Sequence, residues 1–269
     1  MNQSLPPNLP LSIKNLLVGK SFTADDVGKS DSRVFIFDDC VMKISEANAY
    51  NDETVRVMRW FEEIAKLPAP KVLACESDEK FQYLLMSKVS GLMSCDEYYL
   101  EHSDELIKVL ARALKLLWSA DITDCPRTRT IDMELAGAKY RVENNLVDIS
   151  DSEPTTFGEG GFKNPEELLH WLEAHKPDFE PVLSHGDFCL PNIFVDGGRI
   201  TGFIDLGDTG VGDKWRDIAL GLRSLRHNLD GTFGGKVYPN INPELLFDEL
   251  GIEPDWEKIK WYILLDELF

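Results

Sequence analysis

Basic residues are scarce in this chain. Twenty-eight Lys and Arg stand against 47 Asp and Glu, a formal net charge of −19. Binding a nucleic acid requires clustered cations to neutralise phosphates, so no nucleic-acid partner is expected. Cysteine is also sparse. Cys40, Cys75, Cys95, Cys125 and Cys189 are dispersed and include no CxxC pair, which argues against a zinc site or a disulfide framework and for reduced thiols in a cytoplasmic protein. His170 and His175 are five apart, a poor spacing for two ligands on one helix face. No apolar run approaches the roughly 20 residues that cross a bilayer. The N-terminus lacks the basic segment and apolar stretch of a signal peptide. Neither a membrane partner nor secretion is expected. Internal repeats and low-complexity tracts are missing as well.

What is present is a globular composition, 43% hydrophobic over 269 residues, enough for one large domain or two small lobes. The first ninety residues or so read as strand-rich. Residues 33–37 and 40–45 are short β-type runs around Asp38-Asp39, a hairpin signal. Residues 52–67 carry Val57, Met58, Phe61, Ile64 and Ala65 at helical spacing, and Pro68 and Pro70 close the helix. Two further strands are expected at 71–75 and 81–89. After Gly91 the pattern turns helical. Residues 104–120 place Leu106, Val109, Leu110, Ala113, Leu114 and Leu117 on one face. Asn164-Pro165-Glu166-Glu167 and Asn242-Pro243 are helix starts, and Asp255 caps a last helix. The expected fold class is α+β, with a small β-rich N-terminal lobe (1–89), a connector at 87–91 and a larger, mainly helical C-terminal lobe (92–269).

One hairpin inside the helical lobe concentrates oxygen-bearing side chains. Ile193-Phe194-Val195 and Gly202-Phe203-Ile204 flank the turn Asp196-Gly197-Gly198-Arg199. Centring the turn between Gly198 and Arg199 pairs Asn192 with Asp205, whereas centring it between the two glycines moves that pairing by two residues. In both registers the two side chains lie at the open end, with Asp187 in the loop that feeds it. Rigidly gathered oxygens suit a hard cation, and Mg²⁺ needs few protein ligands because water and phosphate oxygens complete its shell. Asn192 and Asp205 are the ligand candidates. Asp187 then lies where a carboxylate orients a hydroxyl and accepts its proton. Taken singly, each residue fits a solvated Asx-turn equally well; the case rests on the three together.

Phosphoryl transfer needs more parts: a cation on the phosphates, a partner for it and a loop over them. Lys43 lies within an apolar run, between Met42 and Ile44, where an unpartnered ammonium is costly. Glu53, early in the next helix, is a candidate partner, although an acid near a helix N-terminus is also favoured by the dipole alone. The stretch Val27-Gly28-Lys29-Ser30-Asp31-Ser32 could cover phosphates, but it matches neither GxGxxG nor GxxxxGK[ST].

In this order the residues resemble the protein-kinase-like aminoglycoside phosphotransferases. His185-Gly186-Asp187 with Asn192 is similar to that family's catalytic loop, and Ile204-Asp205-Leu206-Gly207 to its metal-binding segment. "SHGDFCLPNIFVD", "GDKWRDIAL" and the terminal "LLDELF" resemble the 3'-phosphotransferase branch, the kanamycin and neomycin kinases. The similarity runs from about Val27 to Phe269. It implies a two-lobed kinase-like fold and transfer of the γ-phosphoryl of a nucleoside triphosphate to an aminoglycoside 3'-hydroxyl, which confers resistance. By the same resemblance Asp187 is the catalytic base or orients the hydroxyl. Asn192 and Asp205 bind Mg²⁺, Lys43 contacts the α/β-phosphates, and Glu53 holds Lys43. Ser30 lies in the phosphate-covering loop, and Ser87 and Val89 offer hinge backbone groups to the nucleobase. Glu267 and the Phe269 carboxylate face the drug's ammonium groups, and His185 is structural. Apart from the resemblance, the acids Glu159 and Asp230 are further candidates for binding the substrate.

Three departures from the family pattern bear on nucleotide or drug, and a fourth bears on the placement of Glu53. Val41 stands where relatives often carry an aromatic residue that stacks on adenine, so ATP and GTP are both open as the co-substrate. Asp208 replaces an Arg after the IDxG segment. The loop 230–242 is longer than in relatives, and the helix carrying Glu53 has a residue more before Trp60. The stretch Asp148, Asp151, Glu153 and Glu159 with its glycines reads either as an acidic wall over the drug site or as a solvated loop. The charge favours a polycationic ligand. Rival readings are the same chemistry on choline, a sugar amine or a macrolide, a non-catalytic drug-binding pseudokinase, and a metal hydrolase. A monomer or weak homodimer is expected.

Overall fold

The computed structural model describes residues 5–6, 8–25, 32–238 and 242–269. In chain order the elements are α1 (Leu11–Leu17), β1 (Phe22–Asp25), β2 (Arg33–Phe37), β3 (Cys40–Glu46), α2 (Ala49–Trp60), β4 (Val72–Ser77), β5 (Phe81–Ser87) and β6 (Leu92–Met93). There follow α3 (Glu97–Glu101), α4 (Ser103–Trp118), α5 (Ile131–Glu143), α6 (Pro165–Ala174), β7 (Pro181–Ser184), β8 (Ile193–Asp196), β9 (Arg199–Phe203) and β10 (Gly210–Asp213). The chain ends with α7 (Lys214–Leu229), α8 (Leu245–Leu250) and α9 (Trp256–Asp266).

The N-terminal strands form one antiparallel sheet in the order β1-β2-β3-β5-β4. Strand side chains alternate between faces. On β3, Cys40, Met42 and Ile44 are buried in a small core with Phe35, Phe37, Tyr83, Leu85 and Ile13 and Leu17 of α1. Val41 and Lys43 therefore share the opposite face, where they pair with Met86 and Leu84. Period two thus puts Lys43 on the face away from this core, with apolar neighbours beside it. Neither α1 nor β1 was expected from the sequence.

Helix α2 starts earlier than its apolar spacing suggests, at the cap Asn48, whose side chain accepts from Asn51 N. It ends in a π-turn over Phe61–Ala65, closed by Lys66 in the left-handed region. Its apolar face, with Val55, Val57, Met58 and Trp60, joins the core of the large lobe rather than that of the small one. The large lobe packs α4, α7 and α9 around Leu106, Leu110, Leu114, Ile218, Leu222, Leu225, Trp261 and Leu265. Two of the expected caps are present: Asn164 accepts from Glu167 N at 2.9 Å and Asp255 from Lys258 N at 3.0 Å. Asn242 instead closes a turn on Glu244 N at 3.0 Å, and α8 starts after Glu244 with no side-chain cap. Helix α5 escaped the sequence reading.

Among the described residues no helix is long and apolar enough to cross a membrane. The five cysteines form no disulfide.

Candidate active site

The hairpin β8–β9 turns on Gly197 and Gly198, at φ 53° and 74°. Positive φ at both central residues is the turn geometry that matches strand twist, and glycine adopts it without a Cβ penalty. Next to the turn Asp196 pairs with Arg199 and Val195 with Ile200, but a bulge then shifts the register to Phe194–Gly202 and Ile193–Phe203. Extending that register sets Asn192 opposite Ile204, and Ile204 N donates to Asn192 O at 2.9 Å. Neither register expected from the sequence holds along the whole hairpin, because one bulged residue separates the turn from the open end. Asp205 follows directly, in the left-handed conformation at φ 55° and ψ 58°.

Asp187 and Asn192 meet. The Asn192 amide nitrogen donates to the Asp187 carboxylate Oδ2 at 2.9 Å and to its backbone oxygen at 3.0 Å. With its donors turned on Asp187, Asn192 keeps its carbonyl oxygen as an acceptor. Cys189 Sγ donates to the other Asp187 oxygen at 3.1 Å, and burial pushes that thiol well up, with the Asp187 charge adding to it. Lys43 Nζ lies 3.7 Å from Asp205 Oδ1. The site is thus two acid–partner pairs joined by the Asn192–Ile204 backbone bond. Asp205 and Asn192 offer hard oxygens and few of them, which suits Mg²⁺ better than a metal needing a full protein cage. Among the described residues no group of three or more His, Cys, Asp or Glu could hold a metal.

The loop is held from behind by residues that the sequence did not single out. Asp217 of α7 is fully buried and accepts from His185 N at 2.7 Å, Gly186 N at 2.9 Å and Ser184 Oγ at 2.9 Å. Burial raises its pKa and these bonds oppose the rise. Arg216 Nε donates to Gly186 O at 2.7 Å, and Arg216 pairs with the buried Glu134. Gly186 is required: at φ 82°, a Cβ there would lie 2.4 Å from Asp208 O. His185, buried, bonds Ile204 O through Nε2 at 2.9 Å, while its Nδ1 accepts from Asp187 N at 3.3 Å. One nitrogen donates and the other accepts, so the ring is a strut between the loop and the hairpin.

Several expected partners are different in the fold. Glu53 does not hold Lys43; it pairs with Arg127 at 2.8 Å. Ser87 N donates to Lys71 O at 2.9 Å, so its N–H is not free for a base. Val89 lies against the edge of Gly202. Ser30 lies outside the described residues, as do 239–241 of the long 230–242 loop. Glu267 is not an open ligand. Its side chain is 3% exposed, accepts from Glu153 N at 2.9 Å and faces Arg223 at 3.4 Å. Arg223 also pairs with Asp266, whose charge is felt at Cys189. A Phe269 terminal oxygen accepts from Arg141 at 2.6 Å. Asp230 caps its own turn, accepting from Thr232 N at 2.9 Å. Glu159 is exposed on the 155–161 loop. In the acidic stretch before that loop Glu153 is tied down: its N–H donates to Glu267 and its carboxylate lies 3.1 Å from His227. Beneath it opens a cleft of about 720 Å³ lined by Glu153, Thr156, Arg223, His227 and Trp256.

Burial lifts the Glu267 carboxyl to about 7. A carboxyl raised on folding contributes stability that is complete below its unfolded pKa and is lost as pH rises towards 7. Glu267→Gln removes that loss. Its melting temperature relative to the native chain is expected to be higher at pH 8 than at pH 5, by calorimetry. An equal difference at both pH values would show that Glu267 ionises freely in the fold.

A lysine and an acid facing each other, beside a loop carboxylate held by an amide, are the parts of a phosphoryl-transfer site. The family model described as "Phosphotransferase enzyme family" matches residues 22–262. This chain belongs to that family. An aminoglycoside 3'-phosphotransferase of Enterococcus faecalis is 46% identical to this phosphotransferase over 216 residues, covering 79% of this chain and 76% of that protein. The crystal structure of an aminoglycoside-3'-phosphotransferase of type VIII superposes with a TM-score of 0.81 at 25% identity, over 96% of this chain and 97% of that one. An aminoglycoside phosphotransferase of Streptomyces rimosus, solved with ADP and streptomycin, superposes at 0.74 with 24% identity, over 92% of each chain, and shows the shared fold. The phosphotransferase has the α+β, kinase-like architecture expected from its motifs, and it is an enzyme of the kinase type.

Proposed function

We propose that this phosphotransferase moves the γ-phosphoryl group of a nucleoside triphosphate to the 3'-hydroxyl of an aminoglycoside. The observation that carries the reading is the Asp187 carboxylate, locked by Asn192 beside a hairpin whose Asp205 faces Lys43. Lys43 would sit on the α/β-phosphates. Asn192 and Asp205 would hold Mg²⁺, which when bound draws charge from the phosphate oxygens. Asp187 accepts the acceptor hydroxyl's hydrogen bond, aligns its oxygen with phosphorus and takes the proton as the new O–P bond forms and the bond to the leaving diphosphate breaks. Preorganisation is the fold's contribution: the amide, the thiol and the buried Asp217 fix the carboxylate before substrate arrives.

One observation favours a second reading, an acceptor of lower positive charge. Arg223 already pairs with Asp266 and faces Glu267, and Arg141 already donates to the Phe269 oxygen. The test is Mg²⁺-dependent release of nucleoside diphosphate with ATP and GTP in parallel, with kanamycin, choline, a macrolide or no acceptor, and the phosphorylated carbon assigned by NMR. Release driven by kanamycin with phosphate on the 3'-oxygen supports the proposal. Release driven only by choline or the macrolide moves the assignment to the second reading. No stimulation from folded protein overturns both.

A further inference from the structure

Helix α2 and the segment that carries Asp205 are joined by one buried side chain, Arg127, from the link between α4 and α5. Arg127 is 4% exposed. Its Nε donates to Glu53 at 2.8 Å, and its Nη2 to Tyr50 O at 3.2 Å and Thr54 Oγ1 at 3.1 Å, all on α2. Its Nη1 donates to Gly207 O, with Leu206 O and Thr209 O at 3.4 Å. The guanidinium also lies over the Tyr50 ring, 5.2 Å from its centre. The backbone at its base is zipped to β10, since Val211 N donates to Arg127 O at 2.9 Å and Arg129 N to Val211 O at 2.8 Å. Next to it, Arg129 pairs with Asp208 at 2.8 Å, and Tyr50 OH donates to the same carboxylate oxygen at 3.2 Å.

These contacts converge on the residues that follow Asp205. A left-handed conformation costs a non-glycine residue on the order of 1 kcal/mol, so Asp205 keeps it only if the chain on both sides is held. Before it, Ile204 is tied to Asn192 and His185. After it, the anchors are the Arg127 fork on the carbonyls of 206, 207 and 209 and the Arg129 pair on Asp208.

We propose that Arg127 is a positioning residue for the metal-binding segment: it aims Asp205 by clamping residues 206–209 to α2, with Glu53 as its counter-charge. This gives Glu53 a role other than the expected one at Lys43. It also accounts for Asp208, whose charge is met by Arg129. The proposal rests on the reading in which Asp205 helps hold Mg²⁺. Lysine cannot replace the guanidinium, because one ammonium cannot span Glu53, Thr54 and three carbonyls with a planar fork.

The test uses the full chain, ADP and Mn²⁺ as the probe, with Mn²⁺ binding followed by electron paramagnetic resonance and folding by circular dichroism. Arg127→Lys is expected to weaken Mn²⁺ binding roughly 10–100-fold, the range for groups that orient a metal ligand. Glu53→Gln should shift Mn²⁺ affinity in the same direction, and being at a partly exposed site it carries the test if Arg127→Lys does not fold. Mn²⁺ affinity within about twofold of native in the folded variant, with only the melting temperature lowered, reduces Arg127 to a structural role and overturns the proposal. Failure of the native chain to bind Mn²⁺ with ADP would instead overturn the underlying metal reading, and the clamp with it.

Discussion

Asp187→Ala is expected to lower kcat by about 10³-fold, in the middle of the range for loss of a positioned general base, while nucleotide affinity changes little. The carboxylate is fixed by Asn192 and Cys189 on its two oxygens. It is not among the groups facing Lys43, whose neighbouring acid is Asp205. Removing Asp187 therefore takes away the hydroxyl's acceptor and leaves the phosphate-binding groups in place. Asp187→Asn separates geometry from proton transfer, because it preserves shape but supplies no base. Steady-state kinetics with coupled detection of diphosphate, together with nucleotide titration by calorimetry, check both variants. Turnover near native in either would remove Asp187 from the chemistry.

Asp217→Ala has the largest expected effect on stability. Its carboxylate accepts from two backbone N–H groups and one hydroxyl, all buried. A buried donor left without an acceptor costs about 1–3 kcal/mol, so the variant should lose about 3–5 kcal/mol. For a chain of this size that lowers the melting temperature by roughly 10 °C. Those donors belong to the segment that leads into Asp187, so kcat should fall as well, even below the melting transition. Calorimetry and kinetics at 25 °C check this. A melting temperature within about 2 °C of native would mean that water or a rearranged loop satisfies the same donors.

What could be read before the fold was known is local. The β2–β3 hairpin, the Asn164 and Asp255 caps and the β8–β9 turn each follow from a few consecutive residues. Lys43 was recognisable because an ammonium inside an apolar strand demands a reason. The errors lie where local pattern and tertiary partner disagree. Glu53 had the correct position for a helix acid, but its partner Arg127 is 74 residues away, a distance over which periodicity carries no signal. Glu267 is expected by resemblance to face the drug's ammonium groups, yet α9 packs on α7 and sets it against Arg223. Deleting Leu268 and Phe269 would accordingly also unseat a fully buried leucine.

By itself the sequence determined the chemistry. It supplied the loop carboxylate, the hairpin with its Asn and Asp, the strand lysine and the acidic charge, because side-chain identity and short-range backbone preference are properties of neighbouring residues. Only the tertiary structure decided which acids are free to act and which are already paired. That choice depends on which arginines the packed helices bring alongside, and on burial, which makes an unpaired charge too costly to keep.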